Sequence, residues 1–187
     1  MDDKKALKQN TNWPSFAKIH TLAMDFDGVF TNNMVWVNQE GQEWVRCTRA
    51  DGLGFDLIRT LEAQGQFKTE YFVLSSQVNP IVSARMGKKG ITCYQNIQNK
   101  KEFLEEHFDQ NQKAKETGFS GLIYLGNDLN DLKVMQSACF SVAPSDAHPL
   151  VQEAANVVLP QKGGEGFVRA FIENWIEANQ IKIESLL

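Results

Sequence analysis

Apolar and polar positions along this chain fall into blocks that predict strands and helices in turn. Leu22-Ala23-Met24 is a short apolar run that gives way at once to Asp25 and Asp27. Met34-Val35-Trp36-Val37 and Trp44-Val45-Arg46-Cys47 flank a polar, Gly-containing turn and predict a β-hairpin over about residues 34–47. From Asp51 to about Gln64, Leu53, Leu57, Ile58 and Leu61 keep helical spacing, and Gly65 ends the helix. Tyr71-Phe72-Val73-Leu74 reads as a buried strand stopping at Ser75-Ser76, followed by a helix through Ile81, Val82 and Ala84. Ile91 to Tyr94 predicts a strand and Lys100 to Phe108 a helix, while Asp109 to Ser120 is polar and reads as a surface loop. Gly121 to Leu125 is a strand ending in Gly126-Asn127-Asp128, with a helix past Val134 and Met135. Cys139 to Val142 and Val157 to Leu159 read as strands, and Phe167 to Ala178 as a closing helix. Residues 1–17 are polar and aperiodic, a loose lead-in to a single domain over 18–187.

The strands are nearly all apolar and alternate with helices, which predicts an α/β fold: a three-layer, Rossmann-like parallel sheet with helices on both faces. Open sheets of this kind place ligands beyond the carboxyl ends of their strands. Asp25 and Asp27 stand there, two residues apart and so on one face. They could hold a hard cation, supply an oxygen nucleophile or move a proton. Taken alone, the segment fits a strand ending in a solvated acidic turn equally well. Ser75, Lys100 and the Asn127, Asp128, Asp131 group also follow strands. Singly, these read as a helix cap, a solvated lysine and turn residues.

Composition narrows the classes. The 187 residues carry a formal charge of −4, with no basic cluster of the kind a nucleic-acid surface needs. No apolar run approaches the roughly 20 residues of a membrane span. No apolar core follows Met1-Asp2-Asp3-Lys4-Lys5, so no leader and a cytoplasmic location are expected. Cys47, Cys93 and Cys139 are scattered and read as buried small residues in a reducing compartment. His20, His107 and His148 lack metal-ligand spacing.

Acid pair, hydroxyl, lysine and acid cluster, in that order and each after a strand, resemble the haloacid-dehalogenase-type phosphatases from about Ala17 to Trp175. The likeness rests on Asp25 to Thr31, Ala50 to Gly54, Leu74 to Pro80, Gly126 to Asp131, Asp146 to Pro149 and Gly163 to Gly166. In detail it is to small members with a β-hairpin in place of a cap domain. These include the 3-deoxy-manno-octulosonate 8-phosphate phosphatases and the phosphatase-like domain accompanying CMP-sialic acid synthetases. The resemblance implies a Mg²⁺-dependent phosphatase of an acidic 8- or 9-carbon sugar phosphate, working through an aspartyl-phosphate. It implies Asp25 as nucleophile, Asp27 as acid and base, and Ser75 and Lys100 on the phosphoryl oxygens. Asp25, Asp27 and Asn127 would hold the metal, with Asp128 and Asp131 behind them. Arg49, Asp51, Gly52, Ser76, Gln77 and Arg85 would meet the substrate. It further implies a homotetramer in which a neighbour's hairpin and carboxyl tail roof the site. The alternative it allows is a weakly active assembly module of the sialic acid pathway.

The sequence departs from the octulosonate phosphatase pattern in four places. Asn127 stands where an Asp ligand is usual, Gln77 and Ala50 where arginines bind substrate, and Glu165 where a basic residue is found. The Ser-Ser-Gln-x-Asn-Pro and Gly-Asn-Asp segments look more like the sialic acid branch.

Overall fold

The computed structural model describes residues 12–187. Strand β1 (Thr21–Met24) is followed by an antiparallel ribbon of β2 (Thr31–Val37) and β3 (Glu43–Cys47). Strands β4 (Glu70–Leu74), β5 (Thr92–Tyr94), β6 (Leu122–Leu125), β7 (Phe140–Ala143) and β8 (Val157–Val158) complete the set. Apart from the ribbon, all pair in parallel as one sheet ordered β5-β4-β1-β6-β7-β8. The helices are α1 (Ala50–Ala63), α2 (Pro80–Gly87), α3 (Lys100–Asp109), α4 (Gln112–Thr117), α5 (Leu132–Ser137), α6 (Pro149–Ala154) and α7 (Phe167–Ala178).

Every residue of β1, β6 and β7 is buried, because each successive side chain enters a different apolar layer. Leu22 and Met24 of β1, Val73 of β4 and Ile123 and Leu125 of β6 join α1 and α7 in one core. Ala23, Phe72, Leu74, Leu122 and Tyr124 point the other way, into a second core with α3, α5 and α6. The sheet therefore carries helices on both faces, as its continuous apolar strands require.

Register sets where the chemistry falls. Met24 pairs with Val73 on one side and Leu125 on the other, so β1 and β6 end level and β4 runs one residue further. The chain runs from β1 out to β4 and β5, then returns to β6 on the opposite flank. Strand order thus reverses at β1, and the crevice beyond its end is where such sheets bind ligands.

Three expectations need correction. Residues 109–120 are not a loop: they hold α4, a six-residue helix capped by Asn111 with Ala114 buried against α3. One buried alanine in so short a helix leaves no periodic signal. The lead-in is not loose over residues 12–17. Trp13 packs on Phe140 and Phe171, Phe16 stands edge-on to Trp175, and Trp175 Nε1 donates to the Pro14 carbonyl at 2.7 Å. The rest of that lead-in, residues 1–11, lies outside the described residues. Cys139 is exposed, while Cys47 and Cys93 are half-buried; all three are free thiols. Among the described residues no helix is long and apolar enough to cross a membrane.

Candidate active site

A cleft of about 480 Å³ opens beyond β1, β4 and β6, with Asp25, Asp27, Ser75 and Asn127 on its floor. The Asp25 N–H donates to the Leu125 carbonyl at 2.9 Å, one step past the regular ladder, which fixes the backbone where the side chain departs. Its Oδ1 accepts the Phe26 N–H at 2.7 Å, and its Oδ2 lies 2.9 Å from Lys100 Nζ. Lys100 opens α3, whose Asn99 cap accepts the Glu102 N–H. Only 2 % of the lysine is exposed, so it is a buried cation and not a solvated one.

Asp131 is the hidden centre of the arrangement. Fully buried, its Oδ1 accepts Lys100 Nζ at 2.7 Å and the Tyr124 hydroxyl at 2.7 Å. Its Oδ2 accepts the N–H groups of Asn127 at 2.9 Å and Asp128 at 3.3 Å. One carboxylate thus positions the lysine and folds the loop carrying Asn127. Gly126 has no side chain because a Cβ there would strike Asp131.

Charge follows from this packing. Burial, and then the Asp131 carboxylate, push the Asp25 carboxyl up to about 7 against the pull of Lys100. Burial also raises Asp27, opposed by its Thr31 partner and by Lys100. Burial alone would lower Lys100, but Asp25 and Asp131 outweigh it and its pKa rises, so the ammonium is permanent.

The Asp27 turn closes on Thr31, whose Oγ1 accepts the Gly28 and Asn33 N–H groups at 3.1 Å each and reaches Asp27 Oδ1 at 3.4 Å. Gly28 has φ 75, and a Cβ there would overlap the Asn127 amide. A bare Cα is therefore what lets the loops after β1 and β6 meet. Gly163 and Gly164 brace this turn from behind. The Gly164 N–H donates to the Val29 carbonyl at 3.1 Å, and a Cβ on Gly163 would overlap the Gly28 carbonyl. Asp146 accepts the Gly163 N–H at 3.0 Å, and the His148 N–H donates to the Asn127 carbonyl at 2.8 Å. The late Gly-Gly and Asp-Ala-His-Pro motifs therefore act as a backbone buttress.

Ser75 is buried and accepts the Gln77 N–H at 3.2 Å; it caps no helix, a role taken by Asn79. Ser76, Gln77 and Asp128 line the cleft above the floor. Arg49, Asp51, Gly52 and Arg85 are not brought to it. Asp51 is buried against α7, where Oδ1 accepts the Arg169 N–H at 3.0 Å. Burial raises its carboxyl to about 6. Gly52 makes room for the Lys89 chain, Arg85 donates to the Thr48 carbonyl at 2.8 Å, and Arg49 is exposed at the start of α1. Asn33, Val35 and Asn130 line the cleft instead. Asn33 carries φ 60, and the ribbon register shifts between Thr31 and Val35, which swings this segment inward.

Asn127 Oδ1 is buried without a hydrogen-bond partner. Among the described residues no group of three or more His, Cys, Asp and Glu side chains could hold a metal. An oxygen-only set of carboxylate, backbone carbonyl and amide suits a hard cation, and the orphaned amide oxygen is a free ligand beside Asp25 and Asp27.

The fold and the arrangement of its cleft define a hydrolase of the haloacid-dehalogenase class. No protein-family model matches the chain. A Streptomyces avermitilis structure assigned to the HAD hydrolase family is 30 % identical, with a TM-score of 0.77 over 95 % of this chain and 93 % of that one. The cobalt-bound deoxy-D-mannose-octulosonate 8-phosphate phosphatase of Haemophilus influenzae is 25 % identical, with a TM-score of 0.74 over 88 % and 91 %. The 3-deoxy-D-manno-octulosonate 8-phosphate phosphatase KdsC of Escherichia coli K12 is 30 % identical over 152 residues, 81 % of this chain and 76 % of that protein. The chain belongs to the KdsC-like family of the haloacid-dehalogenase superfamily, and it is a phosphoric monoester hydrolase.

Proposed function

We propose that this chain is a Mg²⁺-dependent phosphatase that removes the terminal phosphate of an acidic 8- or 9-carbon sugar. The observation that carries the reading is the buried Asp25–Lys100–Asp131 chain at the end of β1, with Asp27 and the orphaned Asn127 oxygen beside it.

One Asp25 oxygen attacks phosphorus, forming an O–P bond as the bond from phosphorus to the sugar oxygen breaks. Asp27, whose carboxyl burial keeps inclined to hold a proton, donates it to the departing oxygen. Water then attacks phosphorus, Asp27 takes its proton, and the Asp25–phosphorus bond breaks to free phosphate. Ser75 and Lys100 meet the phosphoryl oxygens, where catalysis consists mainly of positioning and charge neutralisation. Asp25, the Asp27 carbonyl and Asn127 would hold Mg²⁺, which would supply further neutralisation of the phosphoryl charge.

The reading is tested on purified protein with octulosonate 8-phosphate, neuraminate 9-phosphate and an aryl phosphate. Release of phosphate with Mg²⁺, and its loss on chelation, is the expected result. No turnover of any of them overturns it.

The ribbon supports a homotetramer. Trp36 and Trp44 face each other across it, 55 % and 50 % exposed, beside exposed Met34, Val35 and Val37. An apolar patch of this kind marks an interface. Light scattering should give a tetramer, and Trp36→Glu should give smaller species; a wild-type monomer at all concentrations refutes the assembly. The assembly-module alternative predicts a tetramer without turnover.

A further inference from the structure

The lining of the cleft carries a pattern that the phosphate chemistry does not use. Beyond the reacting groups it is lined by Ser76, Gln77, Asn33, Asn130, Asp128 and Val35. No Lys or Arg lines it among the described residues. Lys100 lies beneath the floor with Asp25 and Asp131 as its partners, Arg85 is turned to the Thr48 carbonyl, and Arg46 lies 3.8 Å from Glu165. The Gln77 and Asn33 side-chain amides make no hydrogen bond among the described residues, and Asn130 gives one N–H to Ser76 Oγ at 3.2 Å, leaving its oxygen free.

Each free amide offers two donors and an acceptor, the complement of a hydroxyl that both gives and takes a hydrogen bond. A carboxylate needs donors alone, and is bound tightly where a guanidinium meets it with two parallel hydrogen bonds. Here it would meet amide oxygens and the Asp128 charge. In an 8- or 9-carbon acid phosphorylated at its last carbon, the carboxylate is at the far end and the groups next to the phosphate are hydroxyls. Resting on the phosphatase reading above, we infer that Gln77, Asn33, Asn130 and Ser76 select the hydroxylated tail next to the phosphate, and that the substrate's carboxylate is not recognised. The specificity of this chain is for a polyhydroxylated primary phosphate, acidic or neutral.

The test compares kcat/KM for octulosonate 8-phosphate, its C1 methyl ester, and an alkyl phosphate of similar length without hydroxyls. The acid and the ester should agree within about threefold, and the alkyl phosphate should fall at least about tenfold below both, as expected where hydrogen-bonding groups are left unpaired. Gln77→Arg should then raise the acid-to-ester ratio about tenfold or more by supplying the missing fork. A wild-type preference for the acid of about tenfold or more overturns the inference, because it places a cation from this chain or a neighbouring copy at the carboxylate. Equal turnover of the alkyl phosphate overturns it too. The wild-type ratios decide the matter even if the Arg variant does not fold. Aryl phosphate helps separate the two claims: silence on it and on both sugar-acid phosphates defeats the phosphatase reading itself, whereas turnover with acid strongly over ester defeats only this one.

Discussion

Asp25→Asn should release phosphate from sugar and aryl phosphates at least about four orders of magnitude more slowly than the wild type, the scale on which loss of a nucleophile is felt. The variant should nonetheless fold. Its amide oxygen can still take the Phe26 N–H, and Lys100 keeps its contact of 2.7 Å with Asp131. Because burial and Asp131 raise the Asp25 carboxyl to about 7, ionising that group works against the folded state at neutral pH. A carboxyl whose folded pKa exceeds its unfolded value opposes folding once charged, and is relieved as pH falls. Removing the charge should therefore leave the thermal midpoint of the metal-free protein unchanged or higher. Activity within about tenfold of the wild type would take the nucleophile's role from Asp25.

The second large effect falls on stability. Asp131→Ala removes the acceptor of four groups at once: Lys100, the Tyr124 hydroxyl, and the Asn127 and Asp128 N–H groups. Lys100 is left with only Asp25, and the tyrosine is fully buried with nothing in its place. Breaking a buried ion pair from one side costs about 3–5 kcal/mol. At about 2–4 °C per kcal/mol for a chain of this size, the midpoint should fall by about 10 °C. Turnover should fall with it, since Lys100 and the Asn127 loop lose their common anchor. Circular dichroism melts and phosphate release measure both; a midpoint lowered by under about 2 °C would show that Asp131 does not organise this core.

The strong helices and most strands were legible because their apolar spacing is set by burial. The Phe167–Ala178 helix, amphipathic and seated against α1, has the bounds that its pattern predicts. Helix α4 was not, because Ala114 is its only buried residue. For the site, strand ends were the useful signal. Asp25, Ser75 and Asn127 follow β1, β4 and β6, and a parallel register brings such ends together without further information. Lys100 gave no local sign of burial; only its contacts with Asp25 and Asp131 distinguish it from a surface lysine. Arg85 and Asp51 show the limit from the other side. Side-chain direction there is set by α7 and by the Thr48 carbonyl, distant groups that spacing does not encode. Asn33 was missed for a related reason, since a left-handed residue beside a register shift reverses the side that simple alternation assigns.

The backbone contact between Gly163-Gly164 and the Gly28–Thr31 turn bears on how the protein is made. During synthesis the Asp25–Asp27 segment leaves the ribosome well before the glycines that press on its carbonyls. Until they arrive, the turn lacks the Gly164 N–H bond to the Val29 carbonyl and the close backing of Gly163. Catalytic competence thus waits on the docking of the segment that leads into α7.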